Sequence, residues 1–199
     1  MKFLLFAIFL ISGATGGGSL ETLHLKLKEV KSISATFVQT QNIKEFKNPV
    51  ISKGKFYFRA PALLLWETDE PFRHVMLIKN STITIHYPDI GHTETRELSK
   101  DAVSKAVAHS ISSFFKGDLE AIRDIYEVNP IQNGKDSVTL QLTPKSIFEA
   151  RVTRSVILRF ASNHIKAIEI NGKDGGRTTI EFTNVIVNPA LDDNVFTIK

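Results

Sequence analysis

The sequence contains no cysteine. Disulfides, thiolate metal ligands and thiol nucleophiles are therefore excluded. Tryptophan occurs once and methionine twice in 199 residues. Charge of neither sign dominates: 25 Lys and Arg face 21 Asp and Glu, a formal net charge of +4. The basic residues are scattered, so the chain carries no electrostatic footprint for nucleic acid. Catalytic signatures are missing as well. There is no Gly-x-Ser-x-Gly elbow, no His-Glu-x-x-His, no phosphate-binding loop and no dinucleotide fingerprint. Long apolar runs are scarce. The unbroken run from Phe3 to Ile11 is too short to cross a bilayer stably as a helix.

That run has a different meaning. Lys2 precedes it and Ser12-Gly13-Ala14 follows it, the layout of a secretory signal peptide. Residues 1–14 are expected to be removed, and residues 15–199 to form one domain with a sizeable core. The periplasm is the expected location. No cysteine follows the cleavage region, so the chain is not itself a lipoprotein.

The periodicity after the leader changes twice. Leu20, Leu23, Leu27 and Val30 recur at helical spacing. From Ile33 the period becomes two, and Ile33, Ala35 and Phe37 alternate with polar residues. The stretch Gly54 to Glu67 organises the rest. Its even positions, Phe56, Phe58, Ala60, Ala62, Leu64 and Trp66, are all apolar and carry three aromatic rings. Pro61 cannot donate a ladder hydrogen bond, which predicts two strands meeting at Ala60-Pro61. A turn is expected at Thr68-Asp69-Glu70-Pro71. Strands follow at Arg73 to Ile78, Thr82 to Tyr87 and His92 to Leu98. Ile83 and Ile85 share one face of the second of these.

Val103, Val107, Ser110, Ile111 and Phe114 return to helical spacing. Gly117 stops that helix and Asp118 caps another, with Leu119, Ile122 and Tyr126 on one side. Strands resume after Asn133-Gly134, a hairpin signal. The last is expected at Val195-Phe196-Thr197-Ile198. Ten or eleven short strands and three helices, with no repeat and no linker, predict an α+β fold that is mainly β. A long antiparallel sheet curled against helices fits this pattern.

Candidates for chemistry reduce to ordinary features. Lys173-Asp174-Gly175-Gly176 lies between strands, where a turn needs glycine. His86 and His92 are read as a surface pair rather than a metal site. Glu67, Asp69 and Glu70 are read as a solvated acidic run. No metal and no cofactor are expected. The even face of the aromatic stretch must bury itself in a core or line an oily cavity.

An ordered set of residues carries a resemblance. An early amphipathic helix comes first, then Thr36-Phe37-Val38-Gln39, Gly54-x-Phe56, Pro61-x-x-x-x-Trp66-Glu67 and Pro71. Leu140-x-Leu142-x-Pro144, Asp174-x-Gly176 and Phe182-x-Asn184-Val185 follow in order. This set resembles the periplasmic lipoprotein carrier family of the LolA type. The resemblance implies an unclosed antiparallel β-barrel under a helical lid, with no enzymatic activity. It implies an acyl cavity lined by Phe37, Phe56, Phe58, Ala60, Leu64, Trp66, Ile83 and Ile85. Leu23, Leu27, Val107, Ile111 and Phe114 would belong to the lid. The cargo would be lipoprotein or lipid acyl chains, taken by a monomer from an inner-membrane transporter to an outer-membrane receptor. The family usually carries an arginine immediately before the proline, which holds the lid closed. Here Ala60 occupies that position and Arg59 precedes it, so Arg59, the candidate gating residue, falls on the opposite face by parity. Two other readings stay open: a periplasmic lipid-sensing module of related fold without transport, and a hydrolase whose site the sequence hides.

Overall fold

The alternating segments pair into a single antiparallel sheet. The computed structural model describes residues 17–198 apart from 99, 101, 135 and 136. The leader at 1–14 lies outside the described residues. Helix α1 (Gly17–Lys28) leads into β1 (Ser32–Asn42), β2 (Val50–Arg59), β3 (Leu63–Glu70), β4 (His74–Lys79), β5 (Thr82–Tyr87) and β6 (His92–Glu97). Helices α2 (Ala102–Lys116) and α3 (Leu119–Ile125) follow. Then come β7 (Tyr126–Asn133), β8 (Ser137–Pro144), α4 (Ile147–Val152), β9 (Thr153–Ala161), β10 (His164–Gly172) and β11 (Arg177–Val187).

The strand order is β6-β5-β4-β3-β2-β1-β11-β10-β9-β8-β7. Each strand pairs with its chain neighbour, except that β11 closes onto β1. β6 and β7 form the two ends of the order and are not paired, so the sheet remains an open half-barrel. This connectivity has one geometric consequence. The link from β6 to β7 must travel from one edge to the other, and that link is α2 and α3. The helices cross the open sheet because the chain has no other way to reach its second half.

One face of the sheet makes the core. Phe56 pairs across with Trp66 and Phe58 with Leu64. Leu140 pairs with Leu158, and Phe37 with Phe182. Phe56, Phe58, Leu140, Leu142 and Leu158 are fully buried in this cluster. The opposite face carries Lys55 and Glu67 as an ion pair at 3.7 Å. A conserved parity thus runs through the hairpin, as expected of pleated strands.

Several expectations need correction. β3 continues through Thr68 and Asp69 to Glu70, because Thr68 pairs with Gly54 and His74 and Glu70 pairs with Lys53, with Asp69 at the register shift between them; the turn begins at Pro71. Val195–Ile198 is no strand. Asp193–Phe196 forms a short 3-10 turn, started by Asp192, whose carboxylate accepts from the Asn194 N–H at 2.8 Å. Tyr126 is the first residue of β7 rather than the last of a helix. β7 was obscured by Pro130, which sits at a register shift on this edge strand, where proline is tolerated. The described residues hold four helices rather than three, the extra one being α4.

Candidate functional site

The site is the concave face of the sheet and the helix that fills it. Phe115 of α2 carries the contact. Its ring centroid lies 4.4 Å from Phe56, 5.9 Å from Phe58 and 5.6 Å from Phe182. Trp66 lies 4.5 Å from Phe37, 5.4 Å from Phe56 and 6.0 Å from Phe182. Six rings from β1, β2, β3, β11 and α2 therefore form one continuous nest. Edge and tilted ring pairs of this kind add about 0.5–1.5 kcal/mol each beyond burial. Trp66 is only partly buried, so the nest reaches towards solvent at that point.

Local chemistry sets how α2 presents Phe115. Gly117 ends the helix with φ +62°, a left-handed conformation natural to glycine. Its N–H donates to Phe114 O at 3.2 Å, and the Asp118 N–H donates to Ser113 O at 3.0 Å. These two bonds form a Schellman closure. Asp118 then caps α3 by accepting from the Ala121 N–H at 3.1 Å. The elbow between α2 and α3 is thus fixed.

Polar bonds and close packing tie the helices to the sheet and to one another. The Ser112 hydroxyl donates to Pro61 O in the β2–β3 turn at 2.9 Å. The His24 ring of α1 donates through Nδ1 to Gly117 O at 3.1 Å. Leu27 of α1 packs so closely on Gly117 that a Cβ there would sit 2.1 Å from the Leu27 Cβ. Ser110 and the Tyr126 hydroxyl share a bond at 3.4 Å. Burial pushes the Tyr126 hydroxyl up in pKa, the Ser110 bond pulls it down, and the Glu149 charge pushes it up again. The phenol thus stays neutral in the interior. Beside these ties runs a groove of about 380 Å³, walled by His24, Lys28, Ala60, Pro61, Lys116 and Glu120 among others.

The expected site residues divide as follows. Phe37, Phe56, Phe58, Leu64 and Ile83 are buried in the cluster, and Trp66 and Ile85 pack against it. Ala60 does not join them. It sits exposed in the turn, because the even-residue alternation is broken where the chain reverses at 60–62. Leu23, Leu27 and Phe114 are buried, and Ile111 is half-buried against the core. Val107 lies on α2, and its side chain is outside the described residues. Two residues of the nest were missed, Phe115 and Phe182. Phe115 follows Phe114 directly, and the helical stripe credited only the first. Phe182 stood only in the motif Phe182-x-Asn184-Val185 and not in the cavity; its pairing with Phe37 is a long-range fact.

Arg59 stands on the far side of the sheet. It donates to Leu191 O at 3.0 Å, bonds Asp193 through Nη2, and lies 5.1 Å above the Phe196 ring. Phe196 is fully buried there, outside the main cluster. Arg59 therefore fastens the C-terminal segment to the outer face and touches neither Ser112 nor Phe115. His86 and His92 do not meet: His86 pairs with Thr93, and His92 with Tyr87. Among the described residues no cluster of His, Asp and Glu could hold a metal ion.

Residues 28–199 match the family model described as Outer membrane lipoprotein carrier protein LolA. An outer-membrane lipoprotein carrier protein from Chromohalobacter salexigens is 28% identical, covering 97% of this chain and 88% of that protein. One from Dechloromonas aromatica is 25% identical, over 90% and 82%. Among solved structures, a chain of the Pseudomonas aeruginosa MucA/MucB complex superposes with a TM-score of 0.54 at 13% identity, over 94% of this chain and 62% of that one. At that identity the likeness is one of fold. No described helix is long and apolar enough to cross a membrane.

Proposed function

Because this chain belongs to the LolA family of outer membrane lipoprotein carriers, we propose that it is a periplasmic carrier whose concave face shelters acyl chains during transit between the membranes. The observation that carries this reading is Phe115. A phenyl ring on the crossing helix occupies the aromatic nest of the sheet, and a hydrocarbon could take its place.

The physical demand is large. Each buried methylene is worth about 0.8 kcal/mol, so three chains of about 16 carbons would cost roughly 35 kcal/mol, gross, to place in water. A shuttle must offset most of this and still let go. An empty cavity would be costly, and a rigidly sealed one would never load. A lid whose own side chain fills the nest meets both conditions, provided the lid can leave. Single hydrogen bonds, from Ser112 of α2 to Pro61 O and from His24 of α1 to Gly117 O, are the kind of tie that a lid can break and remake. In this reading Phe37, Phe56, Phe58, Leu64 and Trp66 contact the cargo. Leu23, Leu27, Ile111, Phe114 and Phe115 move with the lid. An inner-membrane transporter would supply cargo and an outer-membrane receptor would accept it.

The test is release of cargo. Spheroplasts carrying a labelled, acylated lipoprotein are incubated with the purified protein, and the supernatant is assayed. Label appearing as a soluble one-to-one complex supports the proposal. Label that stays with the spheroplasts at every protein concentration rejects it.

A further inference from the structure

The sheet has two ends, and they are not alike. The β2–β3, β4–β5 and β9–β10 turns lie at one end. The β1–β2, β3–β4, β5–β6 and β10–β11 connections and α4 lie at the other, as the antiparallel order requires. Most of the large apolar side chains left exposed among the described residues collect at this second end. They are Ile43 (37%) and Phe46 (58%) in the β1–β2 loop, Phe72 (77%), Ile90 (75%), and Ile147 (74%) and Val152 (69%) of α4. Isolated exposed apolar residues are ordinary, but a row of them on successive connections of one sheet is not.

The connections are held together as a rim. Arg73, next to Phe72, pairs with Asp89, next to Ile90, at 3.8 Å. The Lys173 N–H donates to Val152 O at 3.0 Å, joining the β10–β11 turn to α4. The charges between the tips are also arranged. Lys44, Lys47 and Lys173 are exposed among them. The acids at this end are Glu45, Asp69, Glu70, Asp89, Glu149 and Asp174. Glu70 pairs with Lys53 at 3.6 Å, and Asp89 with Arg73. Asp174 accepts from the Gly176 N–H at 2.9 Å. Beside the Ile43, Phe46 and α4 tips stand Lys44, Lys47, Lys145, Arg151 and Lys173 against Glu45, Glu149 and Asp174, so basic residues outnumber acidic ones there.

We propose that this rim is a docking face for an anionic phospholipid bilayer. The tips of Phe46, Phe72 and Ile90 enter the headgroup boundary, and Lys44, Lys47 and Lys173 meet the lipid phosphates. Apolar tips with interleaved lysines match the interface, where one part of a side chain is greasy and its neighbour charged. The inference goes beyond the carrier reading, because vesicle binding is measured without cargo and does not depend on it.

The experiment uses protein recovered from the periplasm of an expressing bacterium, so that every variant shares one N-terminus. It is sedimented with vesicles of phosphatidylcholine and with vesicles that also contain phosphatidylglycerol. The expected result is binding to the anionic vesicles that weakens with salt. The Phe46→Ser/Phe72→Ser/Ile90→Ser variant should bind at least about tenfold less, from the apolar area it withdraws. Should that variant fold poorly, Phe72→Trp supplies the second readout: emission gained at this exposed site should be quenched by brominated lipid. Wild-type protein that ignores anionic vesicles overturns the proposal and leaves the rim to a protein partner. Equal binding by wild type and triple variant, or no quenching in Phe72→Trp, overturns it too.

Discussion

Replacing Phe115 by alanine separates a lid plug from a core residue. Phe115 is nearly fully buried and touches Phe56, Phe58 and Phe182. A Phe→Ala change at such a site costs about 3–5 kcal/mol when the hole cannot collapse. Phe196 offers the control. It is the same residue type, fully buried, on the opposite face beneath Arg59. Phe196→Ala should cost about as much. The two variants should differ when hydrocarbon is offered. In wild type an acyl chain must displace the Phe115 ring, whose burial is worth about 1.5–3 kcal/mol. Phe115→Ala removes that competitor, so a long-chain amphiphile should bind roughly 10- to 100-fold more tightly, at 1.4 kcal/mol per factor of ten. It should also recover part of the lost stability by mass action. Phe196→Ala should bind with wild-type affinity. The assay is Trp66 fluorescence titration, paired with thermal unfolding with and without amphiphile. Equal affinity in all three proteins would refute the plug, as would equal tightening in both variants.

Other outcomes follow from the same contacts. Ser112→Ala removes the tie to Pro61 O and should loosen α2 by about 1 kcal/mol, seen as faster amide exchange in that helix with little loss of global stability. Gly117→Ala places a Cβ against Leu27 at a positive φ, and a loss of at least about 2 kcal/mol in denaturant unfolding is expected. Arg59 bonds Asp193 and lowers its pKa. That pairing contributes above the usual carboxylate range and is lost as pH falls through the lowered pKa. Carboxypeptidase should therefore attack the C-terminal segment faster at acid pH, and Arg59→Ala should show the fast rate already at neutral pH with amphiphile binding unchanged. On Glu169, burial raises the pKa, but hydrogen bonds from Arg159 and Asn171 and the charges of Arg159 and Arg177 leave it lowered. Glu169→Gln should flatten the loss of stability seen as pH drops below the ordinary carboxylate range.

The sheet was legible in the sequence because half-buried strands write a period of two. Phe56, Phe58, Leu64 and Trp66 share a face as their spacing demanded, whereas the bounds of β7 hid behind Pro130. Elements that derive order from contacts were harder. α4 is six residues long with Ile147 and Val152 exposed, so it offers no apolar stripe. The terminal 3-10 turn looked like a strand because Val195, Phe196 and Ile198 are β-prone. What holds Phe196 is Arg59, 137 positions earlier in the chain by number. Arg59 shows the limit from the other side. Parity correctly put it opposite Phe58, and nothing local could show that Leu191 and Asp193 would meet it there. The nest itself needed the pairing of β1 with β11, which brings Phe182 to Phe37, and a helix direction that aims Phe115 rather than Phe114 at Phe182.

Everything about the carrier role comes down to which side of the sheet meets fatty chains. A photo-crosslinking amino acid can be placed at Trp66, facing the nest, and in a second protein at Tyr57, which follows Trp66's ladder partner Phe56 on β2 and faces the other side of the sheet. Both are exposed to an acylated lipoprotein under ultraviolet light, and the adducts are weighed. Capture at 66 and none at 57 is the expected result. Capture at 57 alone, or at neither position with cargo in excess, would contradict it.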